Sequence, residues 1–145
     1  MDNKILTKSE YYKLNLTKGI IMNIFGAIAA LGMLITGHAP HKHGGSIMFY
    51  VGKDWGGLSL GMFSFVCKNA PERTKNHEFG HSIQNCLYGP AFITKVFIPS
   101  CTRYWQFRSN VKKGIPNKES YDAAWFEGEA TRLGTDTIKA WNEQK

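Results

Sequence analysis

The segment NHEFGHSIQ, residues 76–84, constrains this chain more than any other, because it places two histidines four residues apart. If the segment is helical, His77 and His81 lie on one face, since four residues make about one turn. Phe79 and Ile83 belong to a separate apolar stripe with helical spacing. The two imidazoles therefore lie outside the core-facing side of the predicted helix, which favours a chemical role for them.

The sequence marks both ends of this helix and predicts that it lies within residues 69–90. Asn69 is a suitable N-cap, Glu72 occupies the capping-box position three residues later, and Pro71 suits the first turn. Gly89, which a proline follows, ends the pattern. The histidine pair is thus predicted to lie on a well-defined helix.

A histidine pair with this spacing is typical of zinc-binding helices. His77 and His81 can direct two imidazoles at one ion, whereas Glu78 is rotated away from the ligand line. From there Glu78 can accept a proton from a zinc-bound water that attacks a carbonyl group. The pattern predicts one Zn2+ per chain with Glu78 as general base. Because the motif also occurs by chance in unrelated helices, a coincidental pair is an open alternative.

A catalytic zinc site needs a third protein ligand, and no histidine follows His81. The candidates are therefore carboxylates in the C-terminal segment. Glu127 shares a helical stripe with small residues that would let two helices approach, whereas Glu129 is spaced for a surface ion pair with Arg132. We favour Glu127 as the third ligand, with Glu129 as its main alternative. The other candidates are Glu119, Asp122 and Asp136.

The remaining pattern predicts an α+β fold. Residues 46–52 and 57–67 are rich in strand-forming side chains and, with a glycine-containing turn between them, predict a β-hairpin. Residues 91–107 are apolar and aromatic and predict either an irregular wall of the domain or an interfacial contact. A second long helix is predicted to begin at a Ser120 cap and to break near Gly134.

Residues 19–37 form an uncharged apolar stretch that is only just long enough to cross a bilayer as a helix. With the lysines before it, this stretch predicts a transmembrane signal anchor and a cytoplasmic N-terminus. A buried helix of a soluble domain is the alternative. The predicted organisation is a basic tail over residues 1–18, the anchor, a linker over residues 38–46 and a domain over residues 47–145.

Charge and cysteine content exclude some functions. The net charge is +7, but the basic residues are scattered and no nucleic-acid-reading motif is present, so we predict no nucleic-acid partner. Cys67, Cys86 and Cys101 form no metal-binding pair and are interpreted as buried thiols, with one disulfide bridge as the alternative in an oxidising compartment.

Four blocks of sequence occur in a fixed order between about residues 50 and 134: WGGLSLG, HEFGHSIQ followed by GP, IPS, and YDAAWFEGEATRLG. Together they resemble small, uncharacterised bacterial membrane-associated proteins with a zincin-like core. The resemblance implies a zincin-like metallopeptidase at the bacterial inner membrane, with a glutamate as third ligand at the position of Glu127. Related glutamate zincins carry a second acidic residue one turn later, where this chain has Thr131.

We therefore expect a minimal zincin-like domain that works as a membrane-anchored zinc metallohydrolase on a peptide or protein substrate. Tyr121, Tyr104 and Arg132 are candidate stabilisers of the transition state. The alternative is a non-catalytic, zinc-stabilised binding or accessory protein, because a small domain leaves little room for a substrate cleft.

Overall fold

The computed structural model describes residues 4–145, and this part of the chain contains five α-helices and four β-strands. The helices are α1 (Lys8–Leu16), α2 (Ile20–Ile35), α3 (Glu72–Tyr88), α4 (Ile98–Lys113) and α5 (Trp125–Glu143). The strands are β1 (His41–His43), β2 (Ser46–Tyr50), β3 (Gly57–Leu60) and β4 (Phe63–Val66). The predicted α+β class is confirmed.

The four strands form one mixed sheet in the order β1-β2-β4-β3. The predicted hairpin between residues 46–52 and 57–67 is wrong, because β2 pairs with β4 in parallel and does not pair with β3. The hairpin instead lies inside the second run, where β3 and β4 are antiparallel. Gly61 has a φ of 68° and supplies the left-handed turn residue that joins them. β3 is consequently left at one edge of the sheet.

The predicted linker over residues 38–46 is also wrong, because it contains β1 and the first residue of β2. Its three histidines do not form a cluster. They contact three different side chains, with His38 on Thr36, His41 on Tyr50 and His43 on Asn76. These separate contacts give the segment a fixed place in the fold.

Most of the predicted basic tail is structured, although residues 1–3 lie outside the described part of the chain. α1 begins with a capping box, in which Thr7 and Glu10 bond each other's backbone N–H groups. Tyr11 is fully buried, and its hydroxyl lies 2.5 Å from that of Ser82 on α3. This helix therefore belongs to the folded domain and is not a free tail.

α2 packs on the domain along one face. The side-chain amide of Asn23 donates to the backbone carbonyl of Asn15 at 2.6 Å. Its side-chain oxygen accepts from the backbone N–H of Met62, also at 2.6 Å. Within residues 4–145, no single helix has the length and apolar composition to cross a membrane. α1 and α2 meet both requirements only as a pair, and they bend by 88° at their junction. The signal anchor therefore stays a prediction.

The sequence predicted only one of the two ends of α3 correctly. Asn69 does not cap α3, which begins at Glu72 after Pro71 and has no side-chain cap. The Asn69 amide instead lies 3.5 Å from the Asp54 carboxylate. The end at Gly89 is confirmed, and its φ of 55° is one that glycine adopts readily.

The segment after α3 is more helical than predicted. Residues 91–107, expected to be irregular, run through a 3₁₀ turn (Gly89–Ala91) and a π-helical segment (Ile93–Phe97) into α4. Ser120 precedes only a short 3₁₀ turn, Tyr121–Ala123, and the final helix begins later, at Trp125.

α3 and α5 pack closely across two glycines. A Cβ at Gly80 would collide with the Ala130 carbonyl, and a Cβ at Gly134 would collide with the Asn76 carbonyl. The predicted break near Gly134 is therefore wrong, because α5 runs through this residue without interruption. Gly134 serves close packing, as does Gly80 on the facing helix. The contact brings the first turn of α5 against the middle of α3.

We predict that Gly80→Ala destabilises the protein by about 1–3 kcal/mol, because the added methyl group must displace backbone atoms of α5. The matched control is Gly32→Ala on α2, where an added Cβ meets no atom within 4 Å. Because alanine favours a helix over glycine, the control should gain up to about 1 kcal/mol. Urea unfolding would measure both changes. Equal effects of the two substitutions would contradict the proposed close packing.

Candidate metal centre

His77, His81 and Glu127 converge where α3 meets α5, and their potential ligand atoms all lie within 4.8 Å of one another. Glu127 Oε2 lies 3.0 Å from His77 Nε2 and 3.2 Å from His81 Nε2. Two ligands of one tetrahedral zinc, each bound at about 2.0–2.1 Å, are roughly 3.3 Å apart. The two distances from the imidazole nitrogens to the carboxylate are therefore close to those between ligands of one zinc ion.

The ring of His77 is held by a neutral hydroxyl. His77 Nδ1 lies 2.8 Å from Thr131 Oγ1, and Thr131 in turn donates to Asp122 Oδ2 at 3.0 Å. Asp122 also pairs with Arg73. Because the single hydroxyl proton of Thr131 goes to Asp122, Thr131 must accept from His77 Nδ1–H. The Nε2 of a neutral His77 therefore presents a lone pair toward Glu127.

The ring of His81 is held in a similar way by an amide. His81 Nδ1 lies 2.8 Å from Gln84 Oε1, while Gln84 Nε2 donates to the Phe126 carbonyl and to Glu129 Oε2, both at 2.8 Å. These two acceptors fix the orientation of the amide, so Gln84 Oε1 accepts from His81 Nδ1–H. His81 Nε2 is then also a lone-pair donor that points at Glu127.

The carboxylate of Glu127 is the decisive feature of the centre. Glu127 is fully buried, and neither of its carboxylate oxygens accepts a hydrogen bond in the described structure. Buried carboxylates normally have hydrogen-bond or ion partners, because an unpaired one is costly. Two imidazole nitrogens and one carboxylate are also the ligand types that zinc prefers. The residues present thus fit a divalent metal ion.

Electrostatics favour the ionised form of the Glu127 carboxylate. Burial alone would favour the neutral acid, but the imidazoles of His77 and His81 outweigh it and hold the pKa of Glu127 far below its usual range. Burial also disfavours a charged His81, yet the negative charges of the nearby Glu127 and Glu78 carboxylates raise the pKa of His81. Glu127 therefore stays ionised at neutral pH.

Glu78 lies beside the centre without joining it. Its side chain is buried, and Oε2 accepts a hydrogen bond from Ser59 on β3 at 2.8 Å. The same hydroxyl shares its single proton with the backbone carbonyl of Glu78 at 2.7 Å, which fixes the edge strand against α3. Gly57 leaves space for the carboxylate, because a Cβ there would collide with it. One oxygen of Glu78 is thus held in place while Oε1 has no hydrogen-bonded partner among the described residues.

A cavity of about 350 Å³ opens over His77, Glu78 and His81. Residues from β3, α3, the π-helical segment and α4 form its wall. Apolar side chains make up much of this wall: Leu58, Phe92, Val96, Phe97, Phe107 and Val111. The small domain therefore does contain a cleft beside the three ligands.

The predicted transition-state stabilisers divide into two groups. Tyr121 and Tyr104 line the cavity, and the Tyr104 hydroxyl accepts a hydrogen bond from the Gly56 N–H at 3.3 Å. Burial and the nearby Glu127 carboxylate raise the pKa of Tyr121, which keeps its phenol protonated. Arg132 is exposed and is not part of the cavity wall, so the structure does not bring it to the centre.

Glu129, the alternative third ligand, has a different place. Its carboxylate accepts hydrogen bonds from Gln84 and from the Tyr88 hydroxyl, the latter at 2.7 Å to Oε2. The two glutamates thus occupy separate sides of α5, as the helical spacing requires. The structure places Glu127 at the metal centre and Glu129 behind His81.

Several residues of the centre carry no clear signal in the sequence. Ser59 contacts Glu78 from a neighbouring strand, and Asp122 reaches Thr131 from the 3₁₀ turn before α5. Both contacts depend on tertiary placement. Gln84 was detectable in part, because it shares the polar stripe of the two histidines.

No family model, no curated protein and no solved structure matches this chain. The resemblance to bacterial zincin-like proteins therefore stays a prediction. What the fold and the site define is an α+β protein with a buried group of two histidines and one glutamate.

We predict that Thr131→Val weakens zinc binding about 10–100-fold, because it leaves His77 Nδ1–H without its acceptor. Thr135→Val is the matched control, since Thr135 is exposed and lies one turn further along α5. Competition with a chelating indicator dye would measure both affinities. If the two variants bind zinc equally well, Thr131 does not orient the imidazole.

We also predict opposite pH dependences for the metal-free and zinc-loaded chain. The depressed pKa of Glu127 contributes stability above its ordinary value of 4.5, and this contribution is lost as the pH falls further. The raised pKa of His81 contributes stability below 6.5, which is lost as the pH rises through the folded value. Zinc requires neutral imidazoles, so its stabilising effect should grow with pH.

Urea unfolding with a chelator or with excess zinc, at pH values of about 5.5 and 8, would test this. The metal-free chain should be more stable at the lower pH, and the increment from zinc should be larger at the higher pH. A zinc increment that shrinks as the pH rises would contradict imidazole ligation.

Proposed function

We propose that this protein is a zinc-dependent hydrolase that cleaves an amide bond in a peptide or protein. The observation that carries the proposal is the buried Glu127 carboxylate, which faces two imidazole nitrogens and has no hydrogen-bond partner. The resemblance of the sequence blocks to zincin-like proteins agrees with the proposal. When bound, zinc would polarise a water molecule and the substrate carbonyl group, which is the Lewis-acid chemistry of such sites.

In this proposal Glu78 is the proton carrier. Ser59 holds Oε2, so Oε1 is the oxygen that takes a proton from the attacking water. The same oxygen then delivers that proton to the leaving amine nitrogen when the C–N bond breaks. The proton count balances, because water supplies a hydroxyl group to the carbonyl carbon and a proton to the amine.

Tyr121 and Tyr104 are the candidate donors to the oxygen that becomes negatively charged in the transition state. Both phenols line the cavity, and the raised pKa of Tyr121 keeps its proton available for a hydrogen bond. Arg132 is not assigned this role, since it lies outside the cavity wall.

The cavity supports a substrate with an apolar side chain next to the scissile bond. Its wall combines aromatic and aliphatic side chains with the polar groups of the centre at one end. Ligand sites commonly have this composition, with a few polar groups that fix orientation and apolar walls that supply affinity. The non-catalytic alternative gains no comparable support, because its main premise was the lack of room for a cleft.

We predict that Glu78→Gln retains one zinc per chain and loses hydrolysis by at least about a hundredfold, because the amide cannot accept the proton. Glu127→Gln should instead lose most of the zinc as well as the activity. Metal analysis of the purified chains, together with cleavage of a mixed peptide library read by mass spectrometry, would measure both properties.

Asp136→Asn serves as the control, since Asp136 is an exposed acidic residue on α5 outside the cavity wall. It should keep both zinc and activity. A wild-type chain without stoichiometric zinc would refute the proposal. Full activity in Glu78→Gln would remove Glu78 as the base, and zinc without any cleavage would favour the binding protein.

A further inference from the structure

α2 carries an apolar face that the described structure leaves uncovered. Six of its large side chains are each at least half exposed, and we call them the α2 apolar face: Ile24, Phe25, Ile28, Leu31, Leu34 and Ile35. Every exposed residue of this helix is apolar or glycine. A surface helix in water normally presents polar side chains on its outer side. A contiguous patch of this size usually marks an interaction site.

The opposite face of the helix is firmly attached to the domain. Asn23 makes its two 2.6 Å hydrogen bonds there, and Gly26 packs so closely that a Cβ would collide with the Leu60 carbonyl. At about 100° per residue, these positions lie opposite the α2 apolar face. Only the outer side of α2 is therefore available to a partner unless those contacts break.

The charge near this face identifies the partner. Lys13 and Lys18 are exposed and precede α2, while the helix itself has no charged residue. Lys18 also packs against Gly89, close to the π-helical segment that contains Lys95. A helix that combines an apolar side with a cationic flank suits the surface of an anionic bilayer. A second copy of the chain would bring its own net charge of +7, which opposes association.

We propose that α2 lies along the surface of an anionic phospholipid membrane, with the α2 apolar face among the acyl chains and its other face on the sheet. This attachment differs from the signal anchor expected from the sequence, because the helix does not leave the domain to cross the bilayer. It would hold the metal centre at a fixed distance from the membrane. The inference is independent of the proposed hydrolase activity.

The first test is sedimentation of the full-length chain with phosphatidylcholine vesicles that contain or lack phosphatidylglycerol. The wild-type chain should bind the anionic vesicles, and Phe25→Ser with Ile28→Ser should weaken that binding at least about tenfold. Trp105→Ser with Ile115→Ser is the matched control, since both residues are at least half exposed but lie outside α2. The control should bind like the wild type.

Charge is tested separately with Lys13→Glu and Lys18→Glu together, which should abolish the preference for phosphatidylglycerol. Far-ultraviolet circular dichroism and zinc content would establish that each variant is folded. Loss of binding in the control pair as large as in the α2 pair would overturn the proposal. A wild-type chain that binds neither vesicle type would also overturn it. Elution of that chain as a dimer would then show that a second copy covers α2.

The orientation is tested by depth measurements. Cysteine would replace Ile21, Ile28 or Ile35 in a Cys101→Ser background and carry an environment-sensitive dye, because Cys67 and Cys86 are buried. Brominated lipids should quench all three dyes at similar, shallow depths if α2 lies in the surface. A deep central position with two shallow ends would show a spanning helix and overturn the proposal.

Discussion

The close approach of α3 and α5 is the constraint on which the rest of the structure depends. It requires the two glycines Gly80 and Gly134, because a side chain at either position would meet backbone atoms of the facing helix. The consequence is that Glu127 reaches the two Nε2 atoms on α3 at 3.0 and 3.2 Å. A displacement of one helix by about 1 Å would already disrupt such a constellation. Packing at the backbone level therefore determines the chemistry of the site.

The contact between α3 and α5 also buries a carboxylate that has no partner to compensate its charge. Neither carboxylate oxygen of Glu127 has a hydrogen-bond partner among the described residues, and the buried carboxylate of Glu78 acts electrostatically on His81, one of the two imidazoles that face Glu127. A divalent cation at this position would supply the positive partner that the buried Glu127 carboxylate lacks. Because α3 supplies the imidazoles and α5 the carboxylate, the binding energy of such a cation would stabilise the contact between these helices. Metal binding and folding are coupled in this way in small metal-binding domains.

Sequence reasoning succeeded where the relevant information is local. The histidine spacing places both rings on one helical face, and the separation of about 200° between Glu127 and Glu129 allows only one of them to face those rings. It failed where the partner is distant in sequence. β2 pairs directly with β4, although β3 lies between them in the sequence, and no local pattern encodes this pairing. Gly134 resembled a helix break, because its close contact with Asn76 exists only after the helices have packed.

In the N-terminal region the sequence contained a local signal for a helix, but its basic composition was given more weight. Thr7 and Glu10 form a capping box that is readable from the sequence, yet residues 1–18 were interpreted as a basic tail because of their lysines. Conversely, Asn69 had the right composition for a cap, but the chain enters α3 only after Pro71, which places Asn69 too far from the first turn. Composition at a helix end thus predicts a cap only when the backbone path is known.

The two histidines are oriented by the same physical device, although different residues supply it. Thr131 and Gln84 are neutral hydrogen-bond acceptors. Each also donates a hydrogen bond to a carboxylate, Thr131 to Asp122 and Gln84 to Glu129. A carboxylate in direct contact with Nδ1–H would favour the imidazolium form more strongly than a neutral oxygen does. The neutral acceptors fix the tautomer while giving less support to a second proton.

This arrangement explains how Thr131, a residue without charge, can orient the imidazole of His77. The ring orientation requires an acceptor at that position, and a hydroxyl oxygen provides one as long as its own proton is committed elsewhere. Asp122 meets that condition, and its pairing with Arg73 keeps it in place. The negative charge lies on Asp122, one residue beyond the one that contacts the imidazole, and Thr131 still orients the ring of His77 toward Glu127.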